Sequence, residues 1–229
     1  MAPRQRFLLI AVVALAAIAI SAQVALSSPW LGLELSPHDG PEGLRVDRVH
    51  PDSPNAGVIR VGSIIVGLQA ADGRQIPLHG NLVMEEPDLL SHTDLNLFMK
   101  RQTELDQALR SGGARFVLAS GDQVPAVAID TPWHQLSGGF SIHTFYGLIA
   151  LMVAVGIWAF RPKSAATRLY ALSGVATMVN TLTLAIYGDR EFVLSGDVFA
   201  VVSAVNHLAT LMVNASLVSL FWVYPRPLA

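Results

Sequence analysis

Two sets of polar residues have the type and spacing to do chemistry together. Ser173, Thr177 and Asn180 follow at intervals of four and three, and Ser203, His207, Thr210 and Asn214 at four, three and four. On a helix each set shares one face. Both lie inside long apolar runs, where polar side chains seek partners on neighbouring helices. Facing residues on antiparallel neighbours have a constant index sum. The pairs Asn180/His207, Thr177/Thr210 and Ser173/Asn214 share one. The stripes are therefore expected to meet, either as glue between helices or as a switch or proton sensor with His207 as the titrating group.

Other familiar chemistries are missing. The seven histidines, His38, His50, His79, His92, His134, His143 and His207, show no ligand spacing, and no apolar run carries the His-Glu-x-x-His of a zinc protease. His38 and His50 with Asp39 and Asp52 could hold a metal, but surface loops account for them as well. The chain has no cysteine, hence no thiolate ligand or thiol nucleophile. Nor is there a glycine-rich phosphate loop or a serine-protease domain. A net charge of −2 argues against a nucleic-acid binder. The expectation is a chain without catalytic residues, resident metal or cofactor.

The elements that must position the stripes follow from hydropathy. Of 229 residues, 52% are hydrophobic and 14% charged, against about 25% charged in ordinary soluble domains. The apolar residues gather in four blocks, Phe7–Leu26, Ser141–Phe160, Ser164–Tyr187 and Asp197–Tyr224. Each is long enough to cross a bilayer of about 30 Å. The first follows Arg4 and Arg6 and precedes Ala25 and Ser27, so a cleaved signal peptide is the alternative to an anchor; its apolar run exceeds the usual 7–15 residues. Arg4, Arg6, Arg161, Lys163, Arg168 and Arg226 fall on one side of the four spans with no acidic partner. Residues 28–139 carry fourteen acidic and eight basic residues, and the loop around Asp189-Arg190-Glu191 lies on the same side as they do. Basic flanks mark the cytoplasm. Both termini are expected inside and the large polar segment outside, with the bilayer as the first partner. The divisions are 1–6 cytoplasmic, 7–27 first span, 28–137 external domain and 138–229 the remaining spans.

The polar segment changes to short strands and one amphipathic helix. Residues 43–49 alternate apolar and polar, as a half-buried strand does. Residues 61–68 read as a buried strand, and Ala71-Asp72-Gly73-Arg74 as a turn. From Ser91 to Arg110, Leu95, Phe98, Met99, Leu105 and Leu109 recur at roughly helical spacing, and Ser111-Gly112-Gly113 stops the helix. Residues 115–118 and 124–129 read as strands around a Gly121-Asp122 turn. The fold class is thus four transmembrane helices with a separate α+β domain. The link from Thr131 to Gly139 is either a force-transmitting hinge at Gly138-Gly139, with Trp133 as an interfacial anchor, or a plain connector.

The segments WLGLEL at 30–35, GLRVDRVHPDSPNAG at 43–57 and VIRVGSIIVGLQAADGRQI at 58–76 resemble a bacterial PDZ domain. The resemblance implies that backbone N–H groups of Leu31, Gly32 and Leu33 receive a peptide's C-terminal carboxylate. Glu34 and Leu35 would continue along the groove strand, with Leu95 and Phe98 on the helix opposite. Capture would proceed by strand addition. A bulky residue at Gly32 should then abolish the ligand response in a domain that still folds. Two departures are Gly62-Ser63, where the family has Gly-Asp, and an insertion over residues 77–92; the groove is therefore either open to ligand or reshaped into a spacer or homodimer contact.

The order anchor, external PDZ-like domain, further spans, cytoplasmic end is similar to the sensor half of PDZ-containing multi-span bacterial sensor histidine kinases, the group that includes competence quorum-sensing kinases of bacilli. WAFRPKSAATRLYALSG at 158–174, YGDREFVLSG at 187–196 and LFWVYPRPLA at 220–229 carry this likeness. It implies an inner-membrane two-component sensor detecting an external peptide or small ligand, with kinase chemistry supplied by a following region. The alternative is a membrane scaffold or protease adaptor with no signalling output.

Overall fold

The computed structural model describes residues 2–224 except 39, 41, 86, 88 and 89. Asp39 and Arg226, and the second half of the terminal motif at 220–229, lie outside the described residues. Four helices, α1 (Pro3–Leu26), α3 (Gly138–Phe160), α4 (Ala165–Tyr187) and α5 (Gly196–Val223), are long and apolar enough to cross a membrane. The chain divides into two compact units, a helical one and a sheet one.

The helical unit holds α1, α3, α4 and all of α5 beyond its first turn. Small residues let α3 and α4 approach closely. A Cβ on Gly147 would overlap the Thr181 hydroxyl, and one on Gly174 would overlap the Ala154 methyl. Such close backbone approach suits helix pairs that cannot use water exclusion to associate. Leu151, Val155, Met178, Leu182 and Ala14 form the buried centre. The other faces show large apolar side chains, with Leu15, Ile142, Phe145 and Leu211 61–69% exposed.

The polar stripes meet in a register other than the expected one. Asn180 donates to the Thr210 hydroxyl at 2.7 Å, not to His207. Asn206, outside both stripes, is buried and donates to the Asn180 carbonyl at 2.9 Å and the Thr183 hydroxyl at 3.1 Å. Thr177 and Ser173 turn back on carbonyls of their own helix, and His207 faces the Ser203 carbonyl at 2.7 Å. Asn214 is exposed. The constant-sum rule assumes parallel axes and equal sides, and here the pairing slips by about one turn. Gly139, at the start of α3, gives its space to the Asp189 carboxylate, which bonds His143 at 3.0 Å. That packing accounts for the glycine at 139, whereas nothing lies within 4 Å of a Cβ at Gly138.

The sheet unit comprises residues 26–135 and 190–200. Its strands are β1 (Pro29–Trp30), β2 (Leu33–Pro37), β3 (Leu44–Val49), β4 (Ile64–Gln69), β5 (Gln75–Pro77), β6 (Arg115–Leu118), β7 (Gln123–Pro125) and β8 (Ile129–Asp130). The pairings among these strands are antiparallel. The main sheet runs β2-β3-β4-β6-β7 with β5 beside β4, and β1 pairs β8 separately. In β3, Leu44 and Val46 are fully buried between exposed neighbours, the alternation its sequence required. The strand expected from Val61 starts only at Ile64, because Gly62 takes φ +84 in a turn whose Ser63 N–H bonds Arg60. The strand expected over 124–129 is broken after Pro125, where the chain leaves the main sheet to reach β1.

Helix α2 (His92–Ser111) begins at Ser91, whose hydroxyl accepts from the Asp94 N–H, and ends at Gly112 with φ +73. These are the start and stop signals of its sequence. It buries Phe98, Gln102, Leu105 and Leu109. Strand β2 is the outer strand of the sheet: β3 covers one edge, and no described strand pairs the other. Such an edge is a ready template for another chain.

Candidate carboxylate-binding site

The site begins with a loop that is forced to present its amides. From β1 the chain passes through Leu31 and Gly32 to Leu33, the first residue of β2; all three are buried, with Gly32 at φ +70. The Leu31 carbonyl is held by the Ser53 hydroxyl at 2.7 Å and the Asn55 amide at 2.9 Å. Asn55 is fully buried and also clasps the Val127 backbone, donating to its carbonyl at 2.8 Å and accepting from its N–H at 2.9 Å. With that carbonyl tied back, the N–H groups of Leu31 and Leu33 converge on one point.

A carboxylate occupies that point, and it belongs to the chain itself. Glu191 accepts from the Leu31 N–H at 2.7 Å through one oxygen and from the Leu33 N–H at 2.6 Å through the other. The residues that follow, Phe192, Val193 and Leu194, are buried. On the α2 side, Gln102 holds their main chain, accepting from the Leu194 N–H at 3.1 Å and donating to the Phe192 carbonyl at 3.5 Å and the Leu82 carbonyl at 3.2 Å. Arg190 donates to the Met84 carbonyl at 2.5 Å and stacks on Phe199 at 4.8 Å and Phe98 at 5.8 Å. Gly196, the first residue of α5, donates to the Thr103 hydroxyl at 3.1 Å, and a Cβ there would overlap the Met99 carbonyl.

Of the residues expected here, Leu31, Gly32 and Leu33 do form the cradle, and Phe98 lies beneath the Arg190 guanidinium. Leu95 is half-buried one turn earlier on α2. Leu35 is half-buried in β2, paired with Val46. Glu34 points away to an ion pair with Arg48 and lies 3.8 Å from His50. Asp52 faces His134 at 3.9 Å. Gly32 plays a different part from the one expected. A Cβ at this position would lie 2.5 Å from that of Ser53, so even alanine disturbs the loop itself.

Sequence reasoning missed Glu191, Gln102 and Asn55. One signal was available: Phe192-Val193-Leu194 are three large apolar residues in a short polar loop, and such a run needs a surface to bury it.

Burial pushes the Glu191 carboxyl up to about 7, against the backbone N–H groups of Leu31, Leu33 and Gly32, which favour its charged form; the Glu34 charge adds to the rise. A carboxyl freed from the cradle returns toward the ordinary carboxylate range, so docking takes up a proton between that range and about 7. The docked segment is then most secure at acidic pH, loosens as pH rises toward 7, and changes little above it. Hydrogen exchange of residues 192–196, corrected for intrinsic rates, should accelerate over that window and then level off. The slope should vanish in Glu191→Gln.

No family model, curated protein or solved structure matches this chain.

Proposed function

We propose that the chain is the sensor module of a multi-pass bacterial inner-membrane signalling protein, with its PDZ-like sheet unit outside and both termini in the cytoplasm. The observation that carries this reading is the cradle: two backbone N–H groups converge on a carboxylate beside a helix and a strand edge that no described strand pairs, the arrangement that strand-addition receptors use for peptide C-termini. The four apolar helices and their exposed large side chains support residence in lipid. The basic residues Arg4, Arg6, Arg161, Lys163 and Arg168 support the orientation. The module's work is to convert peptide binding into helix movement that a two-component output reads. It performs no catalysis itself.

Two measurements test this. Alkaline phosphatase fused after Asp72 should be active and after Lys163 inactive; the reverse would place the sheet unit in the cytoplasm and end the receptor reading. The full chain in lipid nanodiscs should retain members of a hexapeptide pool with free C-termini. It should retain none from the matching carboxamide pool. Equal retention of both pools would mean that the cradle is not the receptor site.

A further inference from the structure

The cradle is filled by a side chain, and the filling has the form of a ligand. Glu191 supplies a carboxylate to the Leu31 and Leu33 N–H groups. The next three residues bury their side chains while Gln102 bonds their main chain at the Phe192 carbonyl and the Leu194 N–H. The two N–H groups are indifferent to which chain supplies the carboxylate. A C-terminal carboxylate follows its apolar residues where Glu191 precedes them, so an incoming peptide would enter the cradle with its chain direction reversed relative to 191–194. Two residues beyond Leu194 the main chain enters α5 at Gly196, pinned by Thr103.

We propose that Glu191 with Phe192-Val193-Leu194 is a built-in occupant of this groove, and that an exported peptide ending in a free carboxylate after large apolar residues takes its place, releasing the main chain that leads into α5. This rests on the receptor reading above and adds to it the ligand class and the route of the signal. The occupant is tethered, so it competes at an effective concentration that a short linker sets in the millimolar range. An incoming peptide binds only the fraction of molecules whose cradle is open, and its apparent affinity falls by that fraction. Removing the Glu191 carboxylate should therefore strengthen the binding of an external one, the reverse of what happens when a ligand-binding residue is lost.

The test uses the full chain in lipid nanodiscs, wild type and Glu191→Ala, with N-acetyl-Phe-Val-Leu as free acid and as carboxamide. Alanine removes both acceptor oxygens, whereas glutamine has the size and neutrality of the protonated acid. Glu191→Gln repeats the comparison should the alanine variant fail to fold. Calorimetry reads affinity, and hydrogen exchange reads residues 30–35 and 190–196. The expected result is at least tenfold tighter binding of the acid to the variant than to wild type, no comparable gain for the carboxamide, and faster exchange of 190–196 in the variant without peptide. Equal affinity of the acid for both proteins would overturn Glu191 as a competitor and leave the receptor reading standing. No binding of the acid to either, with 190–196 opened in the variant, would overturn the receptor reading and this inference with it. Unchanged exchange of 190–196 in both variants would show that the carboxylate does not hold the segment, and would overturn the inference at its first step.

Discussion

Gly32→Ala is expected to destabilise the sheet unit by about 2–6 kcal/mol. Two costs combine. A non-glycine residue held at φ +70 costs on the order of 1–3 kcal/mol. The new methyl also stands 2.5 Å from the Ser53 Cβ and 2.7 Å from its hydroxyl oxygen. Forcing extra volume into a packed site costs about 1–3 kcal/mol more. Relief would require Ser53 to move, and Ser53 is one of the two groups that tie back the Leu31 carbonyl. The cradle geometry is then lost together with stability. Urea unfolding of the full chain, followed by hydrogen exchange at residues 30–35 and 44–49, measures the change. Wild-type stability would show that the loop has another conformation open to it. A lost ligand response in this variant would report on the loop's folding rather than on room for a ligand.

Gln102→Leu should loosen the segment at 190–196 while leaving α2 intact. Leucine is close in volume and a good helix former. It cannot replace the bonds to the Leu82 and Phe192 carbonyls or accept from the Leu194 N–H. The site is fully buried, so those backbone groups lose their partner without gaining water. A buried donor or acceptor left unsatisfied costs about 1–3 kcal/mol, and several are stranded here, for an expected total of about 2–4 kcal/mol. Undocking relieves the cost by returning the segment to solvent. Exchange of residues 192–196 should quicken about 30-fold or more, since each 1.4 kcal/mol is about tenfold. Unchanged exchange would mean that burial of Phe192, Val193 and Leu194 alone retains the segment.

The same buried glutamine shows where sequence reasoning stops. Local rules sufficed for much of the molecule. Continuous apolar runs placed α1, α3, α4 and α5, because a helix long and apolar enough to cross a membrane shows this in composition alone. Ser91 and Gly112 bounded α2, and alternation in residues 44–49 set the buried face of β3, because capping and pleating act between near neighbours. The Leu31-Gly32-Leu33 loop was legible in the sequence as a place for a carboxylate. What occupies it was not. Glu191 meets Leu31 and Leu33 about 160 residues away along the chain, and no periodicity carries information across that distance. The slip that pairs Asn180 with Thr210 is of the same kind, since it depends on where two helix axes come to rest. Composition and short-range pattern thus determined the elements and their apolar faces. Only the tertiary structure decided which carboxylate fills the cradle, because that follows from packing between distant segments, where one buried hydrogen bond outweighs any local preference.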